Sequence, residues 1–151
     1  MAMDTVKKTV EYARSIEKEH GKCFRFTITT NGVLLNDENI EYINREMSNA
    51  VLSIDGRKEV NDRMRPTVNG KGSYDVIVPK FQKFAKLRGD KEYYVRGTFT
   101  KKNLDFGEDV FHYYDDLGFD QISMEPVVTD PANDYALTQA DIPAVNAEYE
   151  R

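Results

Sequence analysis

The sequence predicts an α/β fold in which about four parallel strands form part of a (β/α) barrel, with the helices on its outer face. Three observations predict it. Helix-periodic and strand-like segments alternate along the whole chain. The segments between strands are long enough for helical crossovers, which makes the strands parallel and the βαβ units right-handed. Each strand also carries one apolar and one polar face, whereas an open sheet covered by helices on both sides is apolar on both.

The elements follow in order. Asp4 is the expected N-cap of a first helix, on which Val6, Val10, Ala13 and Ile16 recur at helical spacing, and Gly21 is its stop. "CFRFTITT" (23–30) reads as the first strand, closed by an Asn31-Gly32 turn. Cys23, a small residue at the start of that strand, is expected to be buried. A second helix runs over 36–47, with Ile40, Ile43 and Met47 on one face. "AVLSID" (50–55) is the second strand, and Gly56 closes it. A long connection follows, and the Pro and Gly content of its middle, "RPTVNGKG", marks a loop. Ser73 is placed to cap a helix carrying Ile77, Phe81, Phe84 and Leu87, and Pro79 inside it predicts a kink or a late start. "EYYVRGTFT" (92–100) is the third strand. A helix over 103–117 presents Phe106, Val110, Tyr114 and Leu117, and Gly118 stops it. "FDQISMEPVV" (119–128) is the fourth strand. The body therefore occupies 1–128, and 129–151 is a C-terminal extension with Asp- and Pro-rich turns and a short helix near its end.

Alternation along the strands sorts their side chains. One face holds Phe24, Phe26, Ile28, Ala50, Leu52, Ile54, Tyr93, Val95, Phe99, Ile122 and Met124, and it calls for helices. The other holds Arg25, Thr27, Thr29, Asn31, Val51, Ser53, Asp55, Tyr94, Arg96, Thr98, Thr100, Gln121, Ser123 and Glu125. Closed barrels fill their lumen with layers of Val, Ile and Leu. A polar lumen implies a bound polar ligand, water, or a missing half. Such folds place their sites at the C-terminal strand ends, where Thr29, Thr30, Asn31, Ser53, Asp55, Thr98, Thr100 and Glu125 fall. The alternative for any one residue is mutual satisfaction across neighbouring strands. Agreement of four strands favours a ligand site.

Composition narrows the classes. Charged residues make up 31% and the net charge is −5, which argues against nucleic-acid or membrane-surface binding, since both want a basic stripe. No apolar run reaches membrane-span length and no signal peptide opens the chain, so a cytoplasmic location is expected. The single cysteine, Cys23, can neither staple the fold nor hold a zinc or iron–sulfur centre. His20 and His112 imply no metal or triad, and surface or helix-end roles are expected for them. "NGKGS" fails the phosphate-loop spacing. Tyr93, Tyr94, Tyr113 and Tyr114 lack a basic groove, so packing accounts for them better than base stacking.

The strand ends also carry longer strings. "TITTNGVLL", "LSIDGRKEVNDRMRPTVNGKGSYD", "YYVRGTFTKKNLDF" and "LGFDQISMEPVV" resemble the radical S-adenosylmethionine (SAM) enzymes that mature SCIFF peptides. Those enzymes install thioether cross-links in short, cysteine-rich precursor peptides. "TTNG" and "SIDG" match the broad superfamily, while "RGTFT" followed by "NLDF" and "SMEPVV" narrows the match to this group and its close relatives. The resemblance covers nearly the whole chain and implies a partial (β/α)6 barrel that binds SAM and a [4Fe-4S] cluster. The family's C-x3-C-x2-C cluster loop, its Gly-Gly-Glu motif and its auxiliary-cluster cysteines have no counterpart here. The chain is thus expected to carry strands three to six of the family core, to bind no cluster itself, and to be inactive alone. Carried over residue by residue, the resemblance puts Ser53 near the SAM ribose or carboxylate. It pairs Arg96 or Arg65 with the carboxylate and sets Thr30 and Asn31 beside the cofactor. Asp55, Thr98 and Glu125 then face a peptide substrate, or Asp55 and Glu125 orient Arg96. An Arg96–Glu125 or Arg96–Asp55 ion pair of purely structural role fits equally. No catalytic residue and no metal ligand are assigned. The competing reading is a non-catalytic SAM- or peptide-binding module. Either way, strand 23–30 has a free parallel edge through which self-association is expected.

Overall fold

The computed structural model describes residues 2–151. Its single sheet has the order β1-β2-β3-β4, formed by β1 (Thr27–Thr30), β2 (Asn49–Ser53), β3 (Tyr94–Phe99) and β4 (Ile122–Pro126). Every neighbouring pair is parallel. The helices between the strands are α2 (Asp37–Glu46), α3 (Lys58–Met64), α4 (Tyr74–Arg88) and α5 (Phe106–Phe111). They follow α1 (Met3–His20) and precede α6 (Ile142–Tyr149).

The two sheet faces divide as the alternation requires. Ala50, Leu52, Ile54 and Val95 are buried completely, and they pack with Ile40, Ile43, Ile77, Phe81 and Phe84 from α2 and α4. On the other face Thr27, Thr29, Tyr94 and Arg96 are exposed. A one-residue register slip would exchange these sets, so the apolar burial of the helical layer fixes the pairing. At β3, Gly97 permits a close approach. A Cβ there would lie 2.9 Å from the Tyr113 hydroxyl, which donates to the Ile54 carbonyl at 2.8 Å. Burial, with Asp109 and Asp55 nearby, raises the Tyr113 pKa well above its ordinary value, so the phenol stays a donor.

Several expectations need correction. Strand β1 begins at Thr27, not residue 23, because α1 side chains occupy the backbone before it. The Phe24 amide donates to Glu17 at 2.7 Å, and Arg14 donates to the Phe24 carbonyl at 3.0 Å. Phe24 is consequently exposed and stacks on Phe26, and Cys23 is exposed rather than buried. Ala2, not Asp4, stands at the N-cap of α1, and Asp4 lies in the first turn. The helix α3 does not show in the sequence pattern: it is short, and Val60 is its one buried apolar side chain, beside the buried Asn61. Helix α4 starts at Tyr74 and continues through Pro79 without a late start. Ser73 stands at its N-cap, but its side chain makes no capping bond; Asp62 accepts from the Tyr74 amide at 2.8 Å instead. The helix predicted over 103–117 divides into a 3-10 turn (Lys101–Asn103), α5 and a π-turn (His112–Asp116). Tyr113 is the buried residue of that last turn, and Tyr114 is exposed. In the tail, Tyr149 of α6 packs edge-on against Phe106 and Phe99.

Candidate functional site

Two polar groups form at the C-terminal ends of the strands. The first begins where β2 gives way to α3. Asp55 is buried, and both its oxygens accept from Arg65: Nε reaches Oδ2 at 2.6 Å and Nη2 reaches Oδ1 at 2.9 Å. The Thr98 amide also donates to Oδ1, at 2.9 Å, so Asp55 ties β2, β3 and the segment after α3 together. The Asp55 amide donates to Asn61 at 3.3 Å, Asn61 donates to the Ser73 hydroxyl at 3.0 Å, and Ser73 donates to the Arg65 carbonyl at 2.8 Å. This chain of bonds fixes the Arg65 backbone as well as its side chain. Nη1 has no bond within the protein among the described residues.

Arg65 forms part of the wall of a cleft of about 670 Å³, within the range of small-molecule sites. Thr29, Thr30 and Asn31 supply a second wall and Thr67 and Ser73 the rest of the polar lining. Val33, Leu34, Pro66 and Val68 add an apolar rim. The "TTNG" turn holds its shape by its own side chains. The Thr30 hydroxyl accepts from the Gly32 amide at 3.1 Å, and Asn31 Oδ1 accepts from Val33 at 3.3 Å. Asn31 Nδ2 is left as an outward donor.

The second group lies on the open sheet face. Arg96 pairs with Glu125, and Ser123 donates to the other Glu125 oxygen at 3.3 Å. Register places Ser53 opposite Arg96, Arg96 opposite Ser123, and Thr98 opposite Glu125. Of the two ion pairs open to Arg96, the one with Glu125 forms, while Asp55 holds Arg65. The cleft thus brings Thr30, Asn31 and Arg65 together, with Asp55 behind Arg65. Ser53, Arg96, Thr98 and Glu125 lie outside its lining.

A third set lies directly after Asp55 in the chain and is not singled out by the sequence. Gly56 has φ 118° and stands against the Asp109 carboxylate, 2.6 Å from where a Cβ would be. Asp109 is fully buried and accepts from the Arg57 amide at 2.9 Å and from Arg57 Nε at 2.8 Å. Arg57 also donates to Asp105 at 2.7 Å. Burial works to lower the Arg57 pKa, and these two carboxylates more than offset it, so the net shift is upward. Asn103 also reaches Asp109, at 3.3 Å, and accepts from the buried Thr100 hydroxyl at 2.9 Å. The spacing of "DGR" and "NLDFGED" contains this pairing, but only the fold brings the two together.

The cleft fits the polar end of a cofactor such as SAM, since Arg65 Nη1 and Asn31 Nδ2 are donors suited to a carboxylate. A [4Fe-4S] cluster does not fit this chain's own residues. Its one cysteine is exposed at position 23, and among the described residues no three His, Cys, Asp or Glu side chains converge.

The fold is found in solved structures. Native anSMEcpe with bound AdoMet superposes with a TM-score of 0.85 at 16% identity, over 99% of this chain and 42% of its own. The same protein with AdoMet and Kp18Cys peptide gives 0.83 at 17% identity, over 95% and 40%. SuiB of Streptococcus suis bound to the precursor peptide SuiA gives 0.60 at 17% identity, over 82% and 28%. At such identities the likeness is one of fold, and this chain spans about two fifths of the length of anSMEcpe. No protein-family model and no curated protein matches the sequence. Among the described residues no helix is long and apolar enough to cross a membrane.

Proposed function

We propose that the chain is part of the core of a radical SAM enzyme that modifies a cysteine-rich precursor peptide by thioether cross-linking. The observation that carries this reading is the cleft between "TTNG" and Arg65, set at the C-terminal strand ends of a fold also present in AdoMet-bound structures. Arg65 Nη1 pairs with the SAM carboxylate, with Thr30 and Asn31 beside it. Ser53 and Arg96 extend the cofactor contacts along the open face. Asp55, Thr98 and Glu125 lie on the path of the peptide, and Asp55 also sets the orientation of Arg65. The cleaving electron would come from a [4Fe-4S] cluster that this chain's residues do not supply, so catalysis is absent from the isolated chain.

Titration calorimetry with SAM tests the reading: a saturable heat is expected, and no heat at high micromolar protein overturns it. A second reading is a non-catalytic SAM- or peptide-binding module, and anaerobic reconstitution with iron and sulfide tests the inactivity that both readings share. SAM cleavage by the reconstituted isolated chain would overturn the claim of inactivity. Heat with a cysteine-rich peptide but not with SAM would favour the module. Self-association belongs to the same proposal. Among the described residues the edge of β1 away from β2 has no strand partner. A monomer at high concentration in light scattering overturns that part.

A further inference from the structure

The sheet and its cleft do not use a buried tyrosine on the helical side of the molecule. Tyr74, the first residue of α4, is 9% exposed. Its hydroxyl lies 2.5 Å from His112 Nε2, and His112 Nδ1 lies 2.6 Å from Asp116 Oδ2. A carboxylate only accepts, so Nδ1 carries the hydrogen of the neutral ring. Nε2 then presents its lone pair to the Tyr74 O–H. The π-turn creates the arrangement by holding His112 and Asp116 in one coil beside α4. Asp116 is largely in water, so a proton arriving at the imidazole has a way out.

We propose that Tyr74 is a redox-active tyrosine with a built-in proton acceptor. A one-electron oxidant, by class a thiyl radical or an outer-sphere metal complex, removes one electron from the phenol. The Tyr74 O–H bond breaks and its proton passes to His112 Nε2. The products are a neutral phenoxyl radical, an imidazolium paired with the Asp116 carboxylate, and the oxidant reduced by one electron.

Comparison with the other buried tyrosines supports the assignment. Tyr113 donates to a backbone carbonyl, which cannot take a proton. Tyr93 donates to the Asp120 carboxylate at 2.7 Å, a much weaker base than imidazole. Burial and that carboxylate push the Tyr93 pKa up to about 12. Around Tyr74 the other charged groups are Lys58, whose Nζ lies 5.7 Å from the ring centroid, with Asp62 and Asp75 paired to it, and Glu59. Burial first, then Asp116 and Asp75, raises the Tyr74 pKa, so the phenol keeps its proton until it is oxidised. The inference is independent of SAM binding.

Flash photo-oxidation of the whole chain by tris(bipyridine)ruthenium(III) tests it, with the phenoxyl absorption and electron paramagnetic resonance as readouts. Tyr74→Phe is expected to remove the long-lived radical and leave a short-lived signal from the exposed tyrosines. His112→Ala is expected to slow formation of the Tyr74 radical about 100-fold at neutral pH, the scale of a lost positioned base, and added imidazole to restore it. Tyr93→Phe is expected to change nothing. Circular dichroism checks that each variant is folded. If His112→Ala unfolds, His112→Gln decides: an amide that is no base at that position should slow formation of the radical to the same extent. An unchanged radical in Tyr74→Phe, or an unslowed one in the folded His112 variant, overturns the proposal.

Discussion

One arginine–carboxylate pair stands beyond the end of β2 and another on the open face of the same sheet, and they differ in nearly everything except chemistry. In Arg65–Asp55 the carboxylate side chain is 7% exposed and the arginine 33%. In Arg96–Glu125 the carboxylate is 46% exposed and the arginine 49%. Asp55 accepts a two-pronged fork and a backbone amide as well, so its lone pairs are well used. Glu125 is met by one arginine nitrogen and a long hydroxyl bond. Burial and bond count therefore separate a pair that builds the site wall from one that is free to exchange partners. A sequence reading that weighs both arginines equally as carboxylate receptors cannot see this distinction.

The largest way to break the contrast is Asp55→Ala. It strands Arg65 and the Thr98 amide together. Removing one member of a buried pair costs about 3–5 kcal/mol, and the partial exposure of Arg65 puts this case near about 3 kcal/mol. At this chain length a melting temperature lower by about 6–12 °C is expected in thermal denaturation. A loss under about 1 kcal/mol would mean that the fork does not anchor the loop after α3.

Much of this was legible in the sequence. The parallel sheet, the two-faced strands and the strand-end placement of Thr30, Asn31 and Asp55 follow from alternation and from "NG" and "DG" turns. What was not legible depends on partners distant in the chain. Phe24 and Cys23 read as strand until Glu17 and Arg14 claim the backbone there. Ser73 holds the cap position it was read into, but the fold presents Asp62 to the Tyr74 amide and leaves the serine side chain between Asn61 and the Arg65 carbonyl. The Gly56–Asp109 contact joins residues more than fifty positions apart, which no local pattern encodes. His112 looks like a surface histidine because its partners, Tyr74 and Asp116, are brought together by α4 and a π-turn that helical periodicity does not announce.

A change in binding of intermediate size sharpens the comparison from the other side. Arg65→Lys keeps a cation for Asp55 but loses the planar fork and the free Nη1. Stability is expected to change little beside Asp55→Ala. SAM affinity is expected to fall roughly tenfold to a hundredfold, the value of a charge-assisted bond to a carboxylate, measured by calorimetry. Unaltered affinity would move the carboxylate contact to Arg96.

The smallest expected effect is the most discriminating for the second pair. Arg96→Gln removes a half-exposed ion pair, and such pairs contribute at most about 1 kcal/mol. Salt should shrink even that contribution, because both groups lie within reach of counterions. The melting temperature of Arg96→Gln is therefore expected to approach that of the parent chain as salt rises, whereas the gap for Asp55→Ala should persist. If Arg96 serves the peptide rather than the fold, the substitution leaves stability nearly unchanged and weakens binding of the cysteine-rich peptide more than binding of SAM. Equal loss for both ligands would assign Arg96 to the cofactor. A large loss of stability would show that the Arg96–Glu125 pair, like the buried one, belongs to the frame of the sheet.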